Sequence, residues 1–315
     1  MSLLYEPVFY GIEDFSYTSV GGQSHQARLY YPALDGTVHN IPILPGNFPL
    51  VSFAHGFRTA QDDLCPRDTS QDYQAWDAVL HLLARCGIVV VSPDLTGYLD
   101  KPDVAAEIVE NAILWVYTSW QYQNAIQGSK LGLSGHSWGA RACARVALRK
   151  QFPIACIACI AGQGVSSDLQ RVQLPTFLIG GTDDLIGGPS RQQYQTLTTP
   201  KHEAAIQGTD HWSYFGHQGA IQPCNPQTRP HTFAAQITRE MLVTFFYKYL
   251  TSPANKLLLP PSLLPAQGQR PDITACFAPN SGCALQIRWR DPMNFNLVNF
   301  LGKRVLGEWT EAPPW

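Results

Sequence analysis

Gly135-His136-Ser137-Trp138-Gly139 decides how this chain is read, because of what stands on either side of it. Upstream, Lys130 to Leu133 is a short run of strand length; downstream, Ala140, Ala142, Cys143, Val146, Ala147 and Leu148 recur at helical spacing. A serine between a buried strand and a helix must reverse the chain within one residue. Such a turn is strained, and a Cβ on either flank would meet the strand or the helix, so glycine stands on both sides. The turn holds the hydroxyl above the end of a sheet, the setting of an activated nucleophile.

Outward from this elbow, β-rich runs alternate with helical patterns, which predicts an α/β fold: a mostly parallel, doubly wound sheet with helices on both faces. The predicted strands are Ala27 to Tyr31, Leu50 to Ala54, Ile88 to Ser92, Lys130 to Leu133, Ile154 to Ile160, Thr176 to Ile179 and Glu203 to Ile206. Predicted helices are Asp72 to Cys86, Val104 to Trp120, a shorter Pro189 to Leu197, and Phe233 to Leu250. Residues 1–252 read as one catalytic domain. Pro253, Pro260, Pro261 and Pro265 then break the pattern, so 253–315 reads as a Pro-rich linker and C-terminal extension. Within it Ala284 to Trp289 alternates as a strand would, with Asp272 to Phe277 as the expected partner; lid, sheet extension and oligomerisation element are the roles left open.

The 315 residues are 45% hydrophobic and only 15% charged, which suits a sheet covered on both faces and argues against disorder. A formal net charge of −2 gives no field that would gather nucleic acid or anionic lipid. No apolar run reaches the length of a transmembrane segment, and Met1 to Pro7 lacks the basic and apolar regions of a secretion signal, so the expected location is cytoplasmic. A secreted form with its leader removed would begin in the same way. Among eight cysteines, Cys156 and Cys159 lie three apart in a strand-length apolar run; they point to opposite faces and read as buried free thiols, not as a redox or zinc pair. Cys276 and Cys283 bracket a turn-like segment that is either closed by a disulfide or left with free thiols.

A serine nucleophile needs a base for its proton and an acid to hold that base, commonly in the chain order serine, acid, histidine. Leu178-Ile179-Gly180-Gly181-Thr182-Asp183-Asp184 is a strand running into a glycine turn and two acids, and Asp184 is taken as the triad acid over Asp183. Whichever acid is not catalytic fits an Asx-turn or helix cap. His211, in Gly208-Thr209-Asp210-His211-Trp212 just beyond a strand, is the expected base. His202, His217 and His231 read as structural or surface residues, and His136 as packing or hydrogen-bonding beneath the elbow. Backbone amides of Trp138 and Phe57 are the expected oxyanion donors, with Gly56 permitting close approach. The side chains of Phe57, Trp138 and Trp212 are expected to wall the acyl site. Neither Asp62-Asp63 nor Asp183-Asp184 has histidines at metal-ligand spacing, and both read as turns or solvated acids.

Tyr30-Tyr31-Pro32, His55-Gly56-Phe57, Ser92-Pro93-Asp94, the Ser137 elbow, Gly180 to Ile186 and Asp210-His211 resemble the α/β hydrolase fold family over residues 25 to 250. The branch resembled contains dienelactone hydrolase-like proteins, platelet-activating-factor acetylhydrolase-like esterases and bacterial cutinase-type polyester hydrolases. This resemblance implies hydrolysis of a small-molecule or polymeric carboxylic ester with no metal or organic cofactor, and it favours the second acid, Asp184. Bacterial cutinases usually carry methionine after the serine and a tryptophan after the next strand, whereas this chain has Trp138 and Ala161-Gly162-Gln163-Gly164. Chlorophyllases typically have arginine after the serine, and dienelactone hydrolase proper uses cysteine as nucleophile. Acyl transfer to an alcohol, or a ligand-binding scaffold on the same fold, are the other function classes.

Overall fold

Runs rich in valine, isoleucine and alanine build the sheet. The computed structural model describes residues 9–19, 21–35, 39, 41–56, 73–162, 165–187, 193, 195, 197, 201–206, 209–214, 231–250 and 285–290. Its strands are β1 (Phe9–Thr18), β2 (Ser24–Ala33), β3 (Phe48–Ala54), β4 (Val89–Pro93), β5 (Ile126–His136), β6 (Ile154–Ile160), β7 (Thr176–Gly181), β8 (Lys201–Ile206) and β9 (Leu285–Arg290). Among the described residues they form one sheet in the order β1-β2-β4-β3-β5-β6-β7-β8-β9. The pairs β4/β3, β3/β5, β5/β6, β6/β7 and β7/β8 are parallel, and the pairs β1/β2, β2/β4 and β8/β9 are antiparallel.

Helices α1 (Asp77–Arg85), α2 (Pro102–Thr118), α3 (Trp138–Arg149), the single turn α4 (Ser166–Leu169) and α5 (His231–Leu250) cover both faces. Because side chains alternate along a strand, each central strand feeds two cores. Val51, Phe53, Val90, Cys156, Ala158, Ile160, Phe177 and Ile179 pack under α1 and α5. Leu50, Ala54, Val89, Val91, Leu131, Leu133, Ile157, Cys159 and Leu178 pack under α2, α3 and α4. Cys156 and Cys159 therefore do lie on opposite faces, and both are free and buried. Cys276 and Cys283 lie outside the described residues.

The chain moves from β3 through α1 to β4 on one side, and from β5 through α3 to β6 on the other. Connections diverging from adjacent parallel strands leave a crevice beyond their carboxyl ends, where ligands bind in such sheets. His55-Gly56 leaves β3 at that crevice and Ser137 leaves β5. The strand order, the two helical layers and the edge pairing are those of the α/β hydrolase fold.

Three differences from the sequence reading have physical causes. The edge strand β1 was not expected, because Glu13-Asp14 interrupts its alternation. Both acids are used: Asp14 takes two 2.7 Å hydrogen bonds from Arg28 on β2, and Glu13 accepts from the Trp120 indole at 2.9 Å. Helix α1 starts at Asp77, after a turn over 73–76, and α2 starts at Pro102, where a missing backbone N–H costs nothing in the first turn. The strand foreseen at 284–289 forms as β9 and pairs with β8; the 272–277 segment expected beside it lies outside the described residues, together with most of 189–197.

Candidate active site

Ser137 has φ 53° and ψ −123°, a backbone conformation that costs an L-residue about 1 to 3 kcal/mol and persists only when its surroundings impose it. They do so here. Its N–H donates to the Ile160 carbonyl at 2.9 Å, tying the elbow to β6. A Cβ at Gly139 would lie 2.2 Å and 2.3 Å from the carbonyl oxygens of Ala54 and His55, and one at Gly135 would lie 2.6 Å from the backbone of Gly139 and Ala140. The two glycines thus let α3 start directly against β3 and fold back on its own strand.

The Ser137 Oγ lies 2.8 Å from Nε2 of His211, and Nδ1 of His211 lies 3.1 Å from each oxygen of Asp184. All three are nearly sealed from solvent, with exposures of 1%, 2% and 6% for Ser137, His211 and Asp184. A buried carboxylate needs partners. Besides the imidazole, Asp184 Oδ1 accepts backbone N–H groups of Ile186 at 3.0 Å and Gly187 at 2.7 Å. With an acceptor at Nδ1, the ring carries its proton there and leaves the Nε2 lone pair toward the serine hydroxyl. Asp183 is exposed and points elsewhere: its Oδ1 accepts the Thr182 hydroxyl at 2.8 Å, while its N–H donates to the Thr209 carbonyl at 3.0 Å. The structure thus brings Asp184, not Asp183, to His211.

The loop bearing His211 is held by a residue the sequence reading passed over. Asp210 Oδ1 accepts the Trp212 N–H at 3.0 Å and the Ser213 hydroxyl at 2.7 Å, and the Asp210 N–H donates to Ser213 Oγ at 3.0 Å. The Asp-x-x-Ser spacing of 210–213 is a readable turn signal. On the β3 side, the Leu95 N–H donates to His55 Nε2 at 2.7 Å, which leaves the ring proton on Nδ1 to bond the Gly56 carbonyl at 3.0 Å. His55 thereby joins the ends of β3 and β4. Asp94, whose Oδ1 lies 3.5 Å from His55 Nε2, sits in the same junction; burial raises its pKa, and the neighbouring His55 ring together with the hydrogen bonds from Thr96 outweigh that and lower it.

Of the expected oxyanion donors, Trp138 begins α3, so its amide belongs to the first turn, where no N–H has a partner within the helix. Phe57 lies outside the described residues. The Trp138 side chain is half-buried beneath the Arg141 guanidinium, 5.4 Å from the ring centre; Arg141 in turn lies 3.7 Å from the buried Asp168 carboxylate. Trp212 is half-buried and stands edge-on to the His211 ring at 5.1 Å. His136 lies beneath the elbow, with its Nε2 2.9 Å from the His211 carbonyl. His202 is buried against Tyr249, Phe177 and Phe245, away from the serine, as a structural histidine. His217 lies outside the described residues, and His231 opens α5.

Among the described residues no group of three or more His, Cys, Asp or Glu is arranged to hold a metal ion, and no helix is long and apolar enough to cross a membrane. A family model described as PET hydrolase-like (PETase) matches residues 69–221, just under half of the chain, a span that includes Ser137, Asp184 and His211. Cutinase est2 of Thermobifida alba is 27% identical over 192 residues, a stretch covering 59% of this chain and 56% of that protein. The chain thus spans little more than half the length of this curated relative. In fold it is an α/β hydrolase, and in sequence it resembles the cutinase-type, PET hydrolase-like proteins.

Proposed function

We propose that this chain is a serine carboxylic-ester hydrolase acting through an acyl-enzyme, with Ser137 as nucleophile, His211 as base and Asp184 as the acid that orients it. The observation that carries this reading is the continuous hydrogen-bonded line from Ser137 through His211 to Asp184. In the forward step Ser137 Oγ attacks the ester carbonyl carbon while His211 Nε2 takes its proton. The resulting imidazolium is stabilised by the buried Asp184 carboxylate. Developing charge on the carbonyl oxygen is met by the Trp138 amide at the positive end of α3 and by the amide of Phe57. His211 returns the proton to the departing alcohol; water, deprotonated by the same nitrogen, then releases the acid.

The substrate class proposed is an ester with an apolar or aromatic acyl group, for which Trp138 and Trp212 supply ring faces beside the serine. A polyester is a specific form of this reading, favoured by the similarity to PET hydrolase-like proteins. The test is Ser137→Ala assayed on p-nitrophenyl esters from acetate to palmitate and on an aromatic polyester film. Turnover is expected to fall by at least about 10³-fold with folding retained. Ester turnover near that of the parent in the folded variant overturns the mechanism, while soluble acid released from the film by the parent alone supports the polyester form.

A further inference from the structure

His136, the residue between the glycine and the serine of the elbow, touches more of the candidate machinery than a packing residue needs to. It is fully buried, and its ring centre lies 4.8 Å from that of His211, 5.2 Å from Trp76, 6.2 Å from Tyr214 and 6.3 Å from Trp212. Its Nε2 is 2.9 Å from the His211 carbonyl oxygen. A carbonyl only accepts, so the His136 proton sits on Nε2. The other side of the ring faces the β3 loop, where a Cβ on Gly56 would come within 2.4 Å of Nδ1 and 3.1 Å of Cε1. One ring therefore contacts the loop of the base and the loop after β3, while its own backbone leads directly into Ser137.

We infer that His136 is a positioning residue for His211: its Nε2–H holds the backbone of the base so that the imidazole stays at hydrogen-bond reach of Ser137 through both proton transfers. This rests on the proposed serine mechanism. Asp184 fixes the His211 ring at Nδ1, and the Asp210 turn shapes its loop. Neither joins that loop to the elbow, 74 residues away in sequence, whereas the His136 bond does so directly. A displacement of an ångström or less at the reacting nitrogen is enough to slow proton transfer, because transfer requires a heavy-atom separation near hydrogen-bond length. The alcohol leaving group is the sensitive point. An alkoxide must receive a proton from His211 to depart, whereas p-nitrophenolate departs as a stable anion.

The test uses His136→Phe, which keeps a ring and removes the donor, and His136→Gln, whose amide nitrogen lies the same number of bonds from Cα as Nε2 does. For His136→Phe, kcat/KM is expected to fall about tenfold on a p-nitrophenyl ester and about 100-fold on the ethyl ester of the same acid, with His136→Gln recovering most of both losses. Equal losses on the two esters, no recovery by glutamine, or parent-like kinetics for the phenylalanine variant overturns the inference. In the parent protein, ¹⁵N-histidine spectra at neutral pH should show His136 as the Nε2–H tautomer; the Nδ1–H tautomer overturns the inference however the variants fold. Ser137→Ala in the same assays separates the two proposals. An inert Ser137→Ala beside a parent-like His136→Phe removes only the His136 role, and an active Ser137→Ala removes both.

Discussion

Replacing Asp184 by asparagine tests the site at its least forgiving point. Asp184 Oδ1 is anchored by two backbone amides, Ile186 at 3.0 Å and Gly187 at 2.7 Å, so an asparagine there keeps its carbonyl oxygen in that position. Its NH₂ then falls where Oδ2 was, 3.1 Å from His211 Nδ1, so a donor faces that nitrogen, while Oδ1, also 3.1 Å away, is already held by the two amides and carries no charge. The imidazole relieves this by moving its proton to Nε2, which turns the nitrogen facing Ser137 from acceptor to donor. The base is lost without loss of shape. Loss of tautomer control of this kind slows turnover by about 10³ to 10⁴, or roughly 4 to 5.5 kcal/mol in the barrier. Asp183→Asn retains the Thr182 hydroxyl bond and the backbone bond to Thr209, and should stay within about twofold of the parent. The assay is kcat on one p-nitrophenyl ester for both variants, with thermal melts to establish folding. A folded Asp184→Asn variant within tenfold of the parent, or an equal loss from Asp183→Asn, refutes the reasoning.

Two further outcomes follow from packing and burial. Gly139→Ala must force its Cβ against two backbone carbonyls that have no rotamer to yield, so a stability loss above about 3 kcal/mol is expected in urea unfolding. Gly128→Ala meets no atom within 4 Å, and the stiffer unfolded chain should gain about 0.4 to 1 kcal/mol; equal effects at the two sites would discredit the steric reading. Burial, reinforced by the Lys248 charge, pushes the His202 pKa down to about 3. With an unfolded value near 6.5, the unfolded chain takes up the proton first as pH falls, so stability is lost progressively from about pH 6.5 toward pH 3. His202→Gln should therefore remove about 3 kcal/mol of the stability difference between pH 7.5 and 4.5, and an unchanged pH dependence of urea unfolding would count against it.

What the sequence discloses about this molecule depends on how far apart the interacting residues stand. The elbow is legible because every cause of the strained serine lies within a few residues of it: a strand before, a helix after, and glycines on both flanks. Strands β3 to β8 are legible for the same reason, since apolar runs of the right length lie between turn residues. The choice between Asp183 and Asp184 is not local. Adjacent residues point apart, and the deciding partners are the amides of Ile186 and Gly187 together with an imidazole 27 residues away. Strand β1 is hidden by Glu13-Asp14, whose pairing with Trp120 and Arg28 exists only after folding.

The same rule explains why the partners of the supporting residues are not legible in the sequence while the three reacting residues are. Nucleophile, acid and base each stand in the connection that follows a strand, and the parallel sheet delivers those strand ends to one edge without further instruction. Their support consists of bonds between those ends: His55 joins β3 to β4, Ile160 receives the serine amide, and His136 reaches the base loop. Cross-links of this kind have no period and no motif. They do have a residue type, since a ring nitrogen of histidine can donate or accept, and the ring also fills a buried gap. Buried histidines at strand ends are therefore the residues whose substitution should separate catalytic geometry from fold stability. In this molecule His55 and His136 meet that description, whereas His202, enclosed by the aromatic rings of α5 and β7, affects stability alone.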